Sequence, residues 1–258
     1  MLQPRAGGFY VDGTVGGGGH AEILLEAGAP SARLFGCDRD REAVQAAAER
    51  LARFADRFEL RVGNFARLVE WVGTERADGV LLDLGLSSHQ VDCGERGFSF
   101  LHDGPLDMRF DRSESLTAAH LVNELPADEL ERLFWELGDE PQARRIARAI
   151  VQARARKRIE RTLELADIVQ RAARSHGRAT HPATRVFQAL RMRVNDEPQS
   201  LKRGLIAAWR ILRPGGRLAC ICFHSGEERV VREFGRALVR DYEMIGEVDV
   251  PELRRARA

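Results

Sequence analysis

Lysine is nearly absent from this chain: it occurs only at 157 and 202, so arginine carries almost all of the 40 basic side chains. A GC-rich genome produces that bias without any function, and the formal net charge is only +1, so the placement of arginine matters more than its total. Long apolar runs are missing too. None approaches the ~18–20 residues of a membrane span, and the opening Met1-Leu2-Gln3-Pro4-Arg5 carries no hydrophobic signal segment. No membrane partner is expected, and we read the chain as cytoplasmic. Cysteine is scarce, and Cys37, Cys93, Cys220 and Cys222 show no metal-ligand spacing, so no metal is expected. Cys220 and Cys222 stand two apart on an expected strand and point to one face. We read these thiols as buried and structural, with no disulfide in a reducing compartment. What is present suits a soluble α/β domain with a sizeable insertion: 258 residues, 44% apolar and 31% charged.

The chemistry starts at Asp12-Gly-Thr-Val-Gly-Gly-Gly-Gly-His20, where five of nine residues are glycine and an apolar run, Phe9 to Val11, comes just before. A loop so poor in side chains lets backbone amides approach a ligand closely. A second apolar run, Leu34 to Cys37, ends at Asp38, nineteen residues after the last glycine. An acid at that separation is where a doubly wound sheet holds ribose hydroxyls. Together they point to a nucleoside-bearing cofactor, although Asp12 read alone could be a turn or capping acid and Asp38 a surface acid.

The first ninety residues alternate β-α-β-α-β-α-β. Strands are expected at Phe9–Asp12, Leu34–Asp38, Phe58–Val62 and Gly79–Asp83, with helices at His20–Ala27, Arg41–Phe54 and Ala66–Val72. That alternation predicts a parallel sheet with helices on both faces and ligands at the carboxyl ends of the strands. Residues 84–107 are too long for an ordinary connection and read as functional. From about Ser115 to Asn195 the pattern is helical, with Thr162 as the N-cap of a helix running towards Arg174 and Pro182 starting another. The α/β pattern then resumes: a helix at Ser200–Leu212, a turn at Arg213-Pro-Gly-Gly216, a strand at Arg217–Phe223, a helix at Glu227–Val239 and a last strand at Tyr242–Val250. The expected architecture is a doubly wound sheet over 1–110 and 198–258, interrupted by an all-helical domain over 111–197.

The glycine loop does not choose a cofactor, since Gly16-x-Gly18-x-x-Ala21 also matches the dinucleotide fingerprint. An acid directly before the loop would repel a pyrophosphate but could face the cationic amino-acid end of a sulfonium cofactor. The Arg-Pro-Gly-Gly-Arg turn before a late strand also resembles class I methyltransferases. The likeness then becomes specific. Asp12-Gly-Thr-x-Gly-x-Gly-Gly-His20, Leu82-Asp-Leu-Gly85 with Ser87-Ser88, Arg96-Gly-Phe-Ser-Phe100 and Gly104-Pro-Leu-Asp-Met-Arg109 resemble the RsmH (MraW) family. Arg144-Arg-Ile-Ala-Arg-Ala-Ile150, His181-Pro-Ala-Thr-Arg185 and Phe223-His-Ser225 continue it, in order, across about residues 8–235. The sequence departs from the family at Gly226 (usually Leu), Glu228 (usually Asp), Glu197-Pro198 (usually Glu-Leu) and Leu137-Gly-Asp-Glu140 (usually Tyr-Gly-Glu-Glu).

The resemblance implies a class I (Rossmann-like) methyltransferase that moves a methyl group from S-adenosylmethionine to the N4 amine of a cytidine in small-subunit ribosomal RNA. It implies cofactor contacts from Gly18, Gly19, His20, Asp38, Phe65, Asp83 and Gln90. Amides at Gly18 and Gly19 can hold a carboxylate or ribose edge, Asp38 can accept ribose hydroxyls, and Phe65 can cover adenine. A cytosine amine is a weak nucleophile because its lone pair is delocalised into the ring, so an acceptor for its N–H would help. The Asp/Ser-Pro-Pro-aromatic loop of DNA amino-methyltransferases is missing, which leaves Asp83, Asp107 and His224 as candidates. Asp107 could instead pair with Arg109, and His224 could be a satisfied histidine at a strand end. Phe98 and Phe100 are candidate stacking surfaces for an extruded base, or simply anchors for the long loop.

Residues 144–161 hold Arg144, Arg145, Arg148, Arg154, Arg156, Lys157, Arg158 and Arg161 against one acid, Glu160. That local excess reads as a phosphate-binding surface, extended by Arg185, Arg191 and Arg193, or as a solvated arginine-rich helix. The implied partner is small-subunit ribosomal RNA or the 30S particle, and a homodimer is left open. The rival readings are a non-catalytic ribosome-assembly factor that keeps the cofactor pocket, and a nicotinamide oxidoreductase on a similar sheet.

Overall fold

Apolar runs that end in acids become the strands of one parallel sheet, because a strand covered by helices on both faces must be apolar on both. A computed structural model describes residues 1–73, 76–173 and 181–239, and the backbone of 242–244 and 254–256. β1 (Phe9–Asp12), β2 (Arg33–Asp38), β3 (Phe58–Val62), β4 (Ala77–Asp83) and β5 (Leu212–Ile221) lie in the order β3-β2-β1-β4-β5, all parallel. The register sets Val11 beside Phe35 and Val80, and Val80 beside Leu218. The order reverses direction between β1 and β4, and such a switch point opens a crevice at the strands' carboxyl ends. Asp12 and Asp83 end the two strands that flank it.

Helices α1 (Gly19–Ala27) and α2 (Arg41–Leu51) cover one face through Ala21, Leu24, Leu25, Ala47 and Leu51. The α2 stripe stops at Leu51, not at Phe54, and a 3-10 turn over Ala52–Arg57 leads into β3. The other face is covered by α3 (Leu68–Val72), α10 (Glu197–Ile211) and α11 (Ser225–Val239), with Leu68, Leu205, Ala208 and Ile211 buried and Val230 and Phe234 packed against them. The Arg213–Gly216 turn lies inside β5. Ala77 pairs with Leu212 and Gly79 with Arg217, so the four residues between loop out as an irregularity of the strand.

Between β4 and β5 the chain forms α4 (Ser88–Asp92), α5 (Ala118–Glu124), α6 (Ala127–Gly138), α7 (Ala143–Arg154), α8 (Thr162–Ala172) and α9 (Ala183–Val194). Helices α5 to α9 build their own core around Leu130, Phe134, Ile146, Ile150, Val169 and Leu190, and Phe98, Leu106 and Met108 of the long loop are buried in it. Thr162 is therefore not a cap. Arg161 precedes the helix, while the Thr162 hydroxyl accepts the Gly104 amide at 3.0 Å and donates to the His102 carbonyl at 3.2 Å, fastening the loop to α8. Arg174, the expected end of that helix, lies outside the described residues. The described part of the expected last strand (Tyr242–Val250) does not join the main sheet. β6 (Tyr242–Met244) pairs antiparallel with β7 (Arg254–Ala256), and residues 245–250 lie outside the described residues. Only Cys37 of the four thiols is fully buried; Cys93, Cys220 and Cys222 are half-buried, and none is in a disulfide. Burial still pushes the Cys220 thiol up to about 12, out of the reactive range.

Candidate active site

A cavity of about 890 Å³ opens where the carboxyl edge of the sheet meets the helical layer. The glycine loop forms its floor. At Gly17 an added Cβ would meet nothing within 4 Å, so the loop leaves ligand-sized space where any other residue would intrude. Gly19 and His20 also line it. Gly18 does not, although it was expected to. Its φ of +83° and a Cβ position 3.1 Å from Ala47 Cα show that it turns the chain against α2, and its amide is spent on the Val15 carbonyl at 2.8 Å.

Asp38 stands at the tip of β2 and accepts the amides of Gly16 and Asp40, each at 2.9 Å. These bonds fix the carboxylate and still leave lone pairs for hydroxyls. Burial pushes its pKa up, against those amides. Phe65 enters from beyond β3 and rests on Gly204 of α10, where an added Cβ would lie 2.1 Å from the ring. Gln90 is at the wall, but its side chain is committed. It donates to Asp40 at 2.9 Å and accepts the Ser87 amide at 3.1 Å. Gln90 thus holds the β4 loop in place and has little left for a ligand.

Asp12 does not line the cavity and cannot face a ligand directly. It is fully buried, with one oxygen on the Thr14 amide at 3.1 Å and the other without a hydrogen-bond partner. Burial pushes this carboxyl up to about 7, opposed by the Thr14 amide and reinforced by the charges of Asp38 and Asp83. A carboxyl raised by folding contributes stability at low pH that is lost as pH rises towards the folded value. Asp12→Asn keeps an acceptor for Thr14, so it should escape a loss of about 2 kcal/mol that wild type suffers between pH 5.5 and 8. Urea denaturation at both pH values measures this, and equal losses in the two proteins would show that another group titrates.

The three candidate acceptors part company. Asp83 lines the cavity at the end of β4, and the Thr14 hydroxyl receives its amide at 2.6 Å. One carboxylate oxygen lies 3.3 Å from His20 Nδ1; the other is buried and has no hydrogen-bond partner. Burial raises its pKa, His20 opposes the shift and Glu227 adds to it. His224 also lines the cavity, but its Nδ1 accepts the Glu227 amide at 3.4 Å and its Nε2 lies 3.3 Å from the Glu227 carboxylate. The Nδ1 lone pair is thus taken by the Glu227 amide, and Nε2 is buried beside Glu227 without a hydrogen bond, so the ring presents no accessible acceptor to a substrate. Gly226 stands close by, its Cβ position only 3.1 Å from the His224 ring. Asp107 is away from the cavity, clamped by Arg109 through Nε and Nη2 at 2.7 Å each. It is a loop brace, as its alternative reading had it.

Phe98 and Phe100 are not exposed platforms either. Phe98 is buried and stacked on Phe110 at 5.4 Å, and Phe100 packs edge-on to Phe187 at 5.0 Å. The aromatic ring that does stand at the cavity mouth is Phe223, 68% exposed and seated over Gly85. Its motif was visible in the sequence, but nothing local announces its exposure. Glu136 and Leu137 of α6 and Met192 of α9 also line the cavity; of these, only Leu137 stood in a motif, where the family usually has Tyr.

The basic run divides by neighbour. Arg154 donates to the Val122 carbonyl at 2.7 Å, Lys157 pairs with Glu164 at 2.6 Å, and Arg158 lies 3.8 Å from Glu124. Arg185 is tied to the Asp139 carbonyl and Arg191 to Glu197. The side chains of Arg144, Arg145, Arg148 and Arg156 are exposed and make no ion pair or hydrogen bond among the described residues. Arg144, Arg145 and Arg148 border a second, open concavity of about 800 Å³ on α7.

Comparison with known proteins identifies the family. The sequence pattern of the MraW methylase family matches residues 1–254. A ribosomal RNA small subunit methyltransferase H from Syntrophotalea carbinolica is 51% identical over 93% of this chain and 78% of its own length. Proteins of the same name from Geobacter sulfurreducens and Symbiobacterium thermophilum are 53% and 52% identical, over 91% and 90% of this chain and 77% and 74% of theirs. The chain that carries this glycine-lined cavity at the sheet's switch point therefore belongs to the MraW methylase family.

Proposed function

We propose that this protein transfers a methyl group from S-adenosylmethionine to the N4 amine of a cytidine in small-subunit ribosomal RNA. Family membership and relatives named as small-subunit ribosomal RNA methyltransferases support the reaction class. The single observation that carries the chemistry is Asp83, a carboxylate that lines the cavity at the tip of β4, its side chain 27% exposed and one oxygen 3.3 Å from His20 Nδ1. A carboxylate oxygen has two lone pairs, so a substrate N–H can join His20 there.

The cavity fits the cofactor. Side-chain-free space over Gly16 and Gly17, a fixed carboxylate at Asp38 for a ribose diol, and the Phe65 ring for an adenine face all line it. When bound, S-adenosylmethionine supplies an electrophilic methyl group on a sulfonium. Asp83 then accepts the N4–H, which draws the amine lone pair out of the ring and gives the departing proton a destination. His20 holds the Asp83 carboxylate in place. Alignment of amine and methyl supplies most of the acceleration, as such placement can be worth ~7–11 kcal/mol. We assign the substrate base to Phe223, whose exposed ring can stack it at the mouth. The helical insertion over 111–197 serves as the RNA platform, in the cytoplasm where ribosomes assemble.

Methyl transfer to small subunits isolated from a strain lacking the modification, with nucleoside mass spectrometry for N4-methylcytidine, tests the whole reading. No product from folded protein that binds S-adenosylhomocysteine would reduce it to an assembly factor. Within it, Phe223→Ala should lower kcat/KM for the RNA about tenfold, the scale of one lost base–aromatic stack. S-adenosylhomocysteine affinity by calorimetry should not change.

A further inference from the structure

Helix α6 turns Leu130, Leu133 and Phe134 into the helical core, yet it leaves Trp135 outside and 61% exposed. An exposed indole on a soluble surface marks a contact more often than an isolated aliphatic does. Its neighbours show which kind. Trp135 lines a shallow concavity of about 550 Å³ with Arg132, Pro141 and Arg144, and Asp128 and Glu131 stand at the same hollow. Pro141 and Arg144 also belong to the adjoining concavity that holds Arg145 and Arg148. The side chains of all four arginines are unpaired among the described residues. The next two residues of α6, Glu136 and Leu137, line the methyl-transfer cavity. The last turn of α6 is thus a partition, with the cavity on one side and an aromatic, arginine-rimmed groove on the other.

We propose that this groove binds a nucleotide flanking the target cytidine, its base stacked on Trp135 and the adjoining phosphates held by Arg144, Arg145 and Arg148. This rests on the reading of the substrate as RNA. Exposed guanidiniums beside a flat aromatic ring fit a single strand, which offers stacking faces and phosphates together. Asp128 and Glu131 repel phosphate, so the backbone is routed along the arginine side. A strand that places one base in the cavity then crosses the α6 partition and leaves its neighbour over the indole.

The test uses the full chain and a 12-nucleotide single-stranded RNA, titrated by anisotropy over a range of salt. Trp135→Ala should weaken binding about tenfold and Trp135→Phe by less than half as much on a logarithmic scale. Arg144→Gln/Arg145→Gln/Arg148→Gln should reduce the slope of log K against log salt by about 2. Melting temperature and S-adenosylhomocysteine affinity should stay at wild-type values, because the substituted side chains are exposed and outside the main cavity. RNA binding and slope unchanged in the alanine and triple variants would overturn the groove alone. Wild type that binds no RNA would overturn the substrate reading and the groove with it. Intact RNA binding with an altered sedimentation coefficient in Trp135→Ala would give the face to a second copy of this chain and equally overturn the proposal.

Discussion

Asp83→Asn should slow methyl transfer about 10²–10⁴-fold, the range expected when a positioned proton acceptor is lost, while S-adenosylhomocysteine affinity stays within a few-fold of wild type. Asparagine preserves the shape, so the β4 tip and its amide bond to the Thr14 hydroxyl survive. What disappears is the negative charge beside His20 and the capacity to take a proton from the amine. The pH profile adds a second readout. The active form is the carboxylate, and burial raises its pKa, so the wild-type rate should fall on acidification at a pH above the ordinary carboxylate range. That limb should be missing from the residual activity of Asp83→Asn. His224→Gln should cost far less, since Nδ1 is taken by the Glu227 amide and Nε2 is buried, away from any substrate. If Asp83→Asn instead lost affinity for S-adenosylhomocysteine and kept its turnover, Asp83 would be a cofactor ligand and the acceptor would have to be sought elsewhere.

The contrast among these candidates shows what one sequence can and cannot convey. The strands β1, β2 and β4 were legible because parallel strands buried on both faces are short apolar runs, and their terminal acids mark the ligand edge. The strand-tip places of Asp38 and Asp83 follow from the alternation, whereas the roles given to Phe65 and Asp83 rest on the family resemblance. Where contacts are made far along the chain, the same reasoning failed. Phe98 and Phe100 looked like free aromatics in a polar loop because their partners, Phe110 and Phe187, sit in or beside the distant helical core. Arg154 looked like a surface cation because Val122, whose carbonyl it satisfies, is on another helix. A run of four glycines is degenerate: only the approach of Ala47 on α2 separates Gly18, which packs, from Gly17, which leaves space. Phe223 was hidden for the converse reason. A motif names its members but does not say which of them faces water.

Arg96→Met should destabilise the protein by about 3–5 kcal/mol, the cost of stranding a buried charge, and lower Tm on the order of 10 °C for a chain of this size. Arg96 and Asp40 are 2% and 4% exposed and meet at 2.6 Å. The second terminal nitrogen, Nη2, is held by the Arg109 and Phe110 carbonyls, each at 3.1 Å, while Nε is buried without a partner among the described residues. Asp40 meanwhile caps α2 through the Glu42 amide at 3.0 Å and accepts Gln90 at 2.9 Å. One buried pair therefore ties the first turn of α2, the β4 loop that carries Leu86, Ser87 and Gln90 to the cavity, and the segment entering the helical layer. Methionine fills the space but leaves the Asp40 carboxylate with neutral donors only, the Glu42 amide and Gln90, and two carbonyls with none. Arg96→Lys should recover little, because an ammonium cannot reach both carbonyls and the carboxylate as the planar fork does. Arg96→Met/Asp40→Asn is the informative variant. Asparagine keeps the cap on the Glu42 amide through its one oxygen and has no charge to strand, but its NH2 then faces Gln90 Nε2 and that bond is lost, so only part of the lost stability should return. Cofactor affinity should still be reduced, because the β4 loop has lost its anchor. Thermal and urea denaturation of the two variants measure the first effect, and calorimetry with S-adenosylhomocysteine the second. A double variant no more stable than Arg96→Met would mean that the carbonyl bonds, and not the ion pair, hold the loop to the sheet.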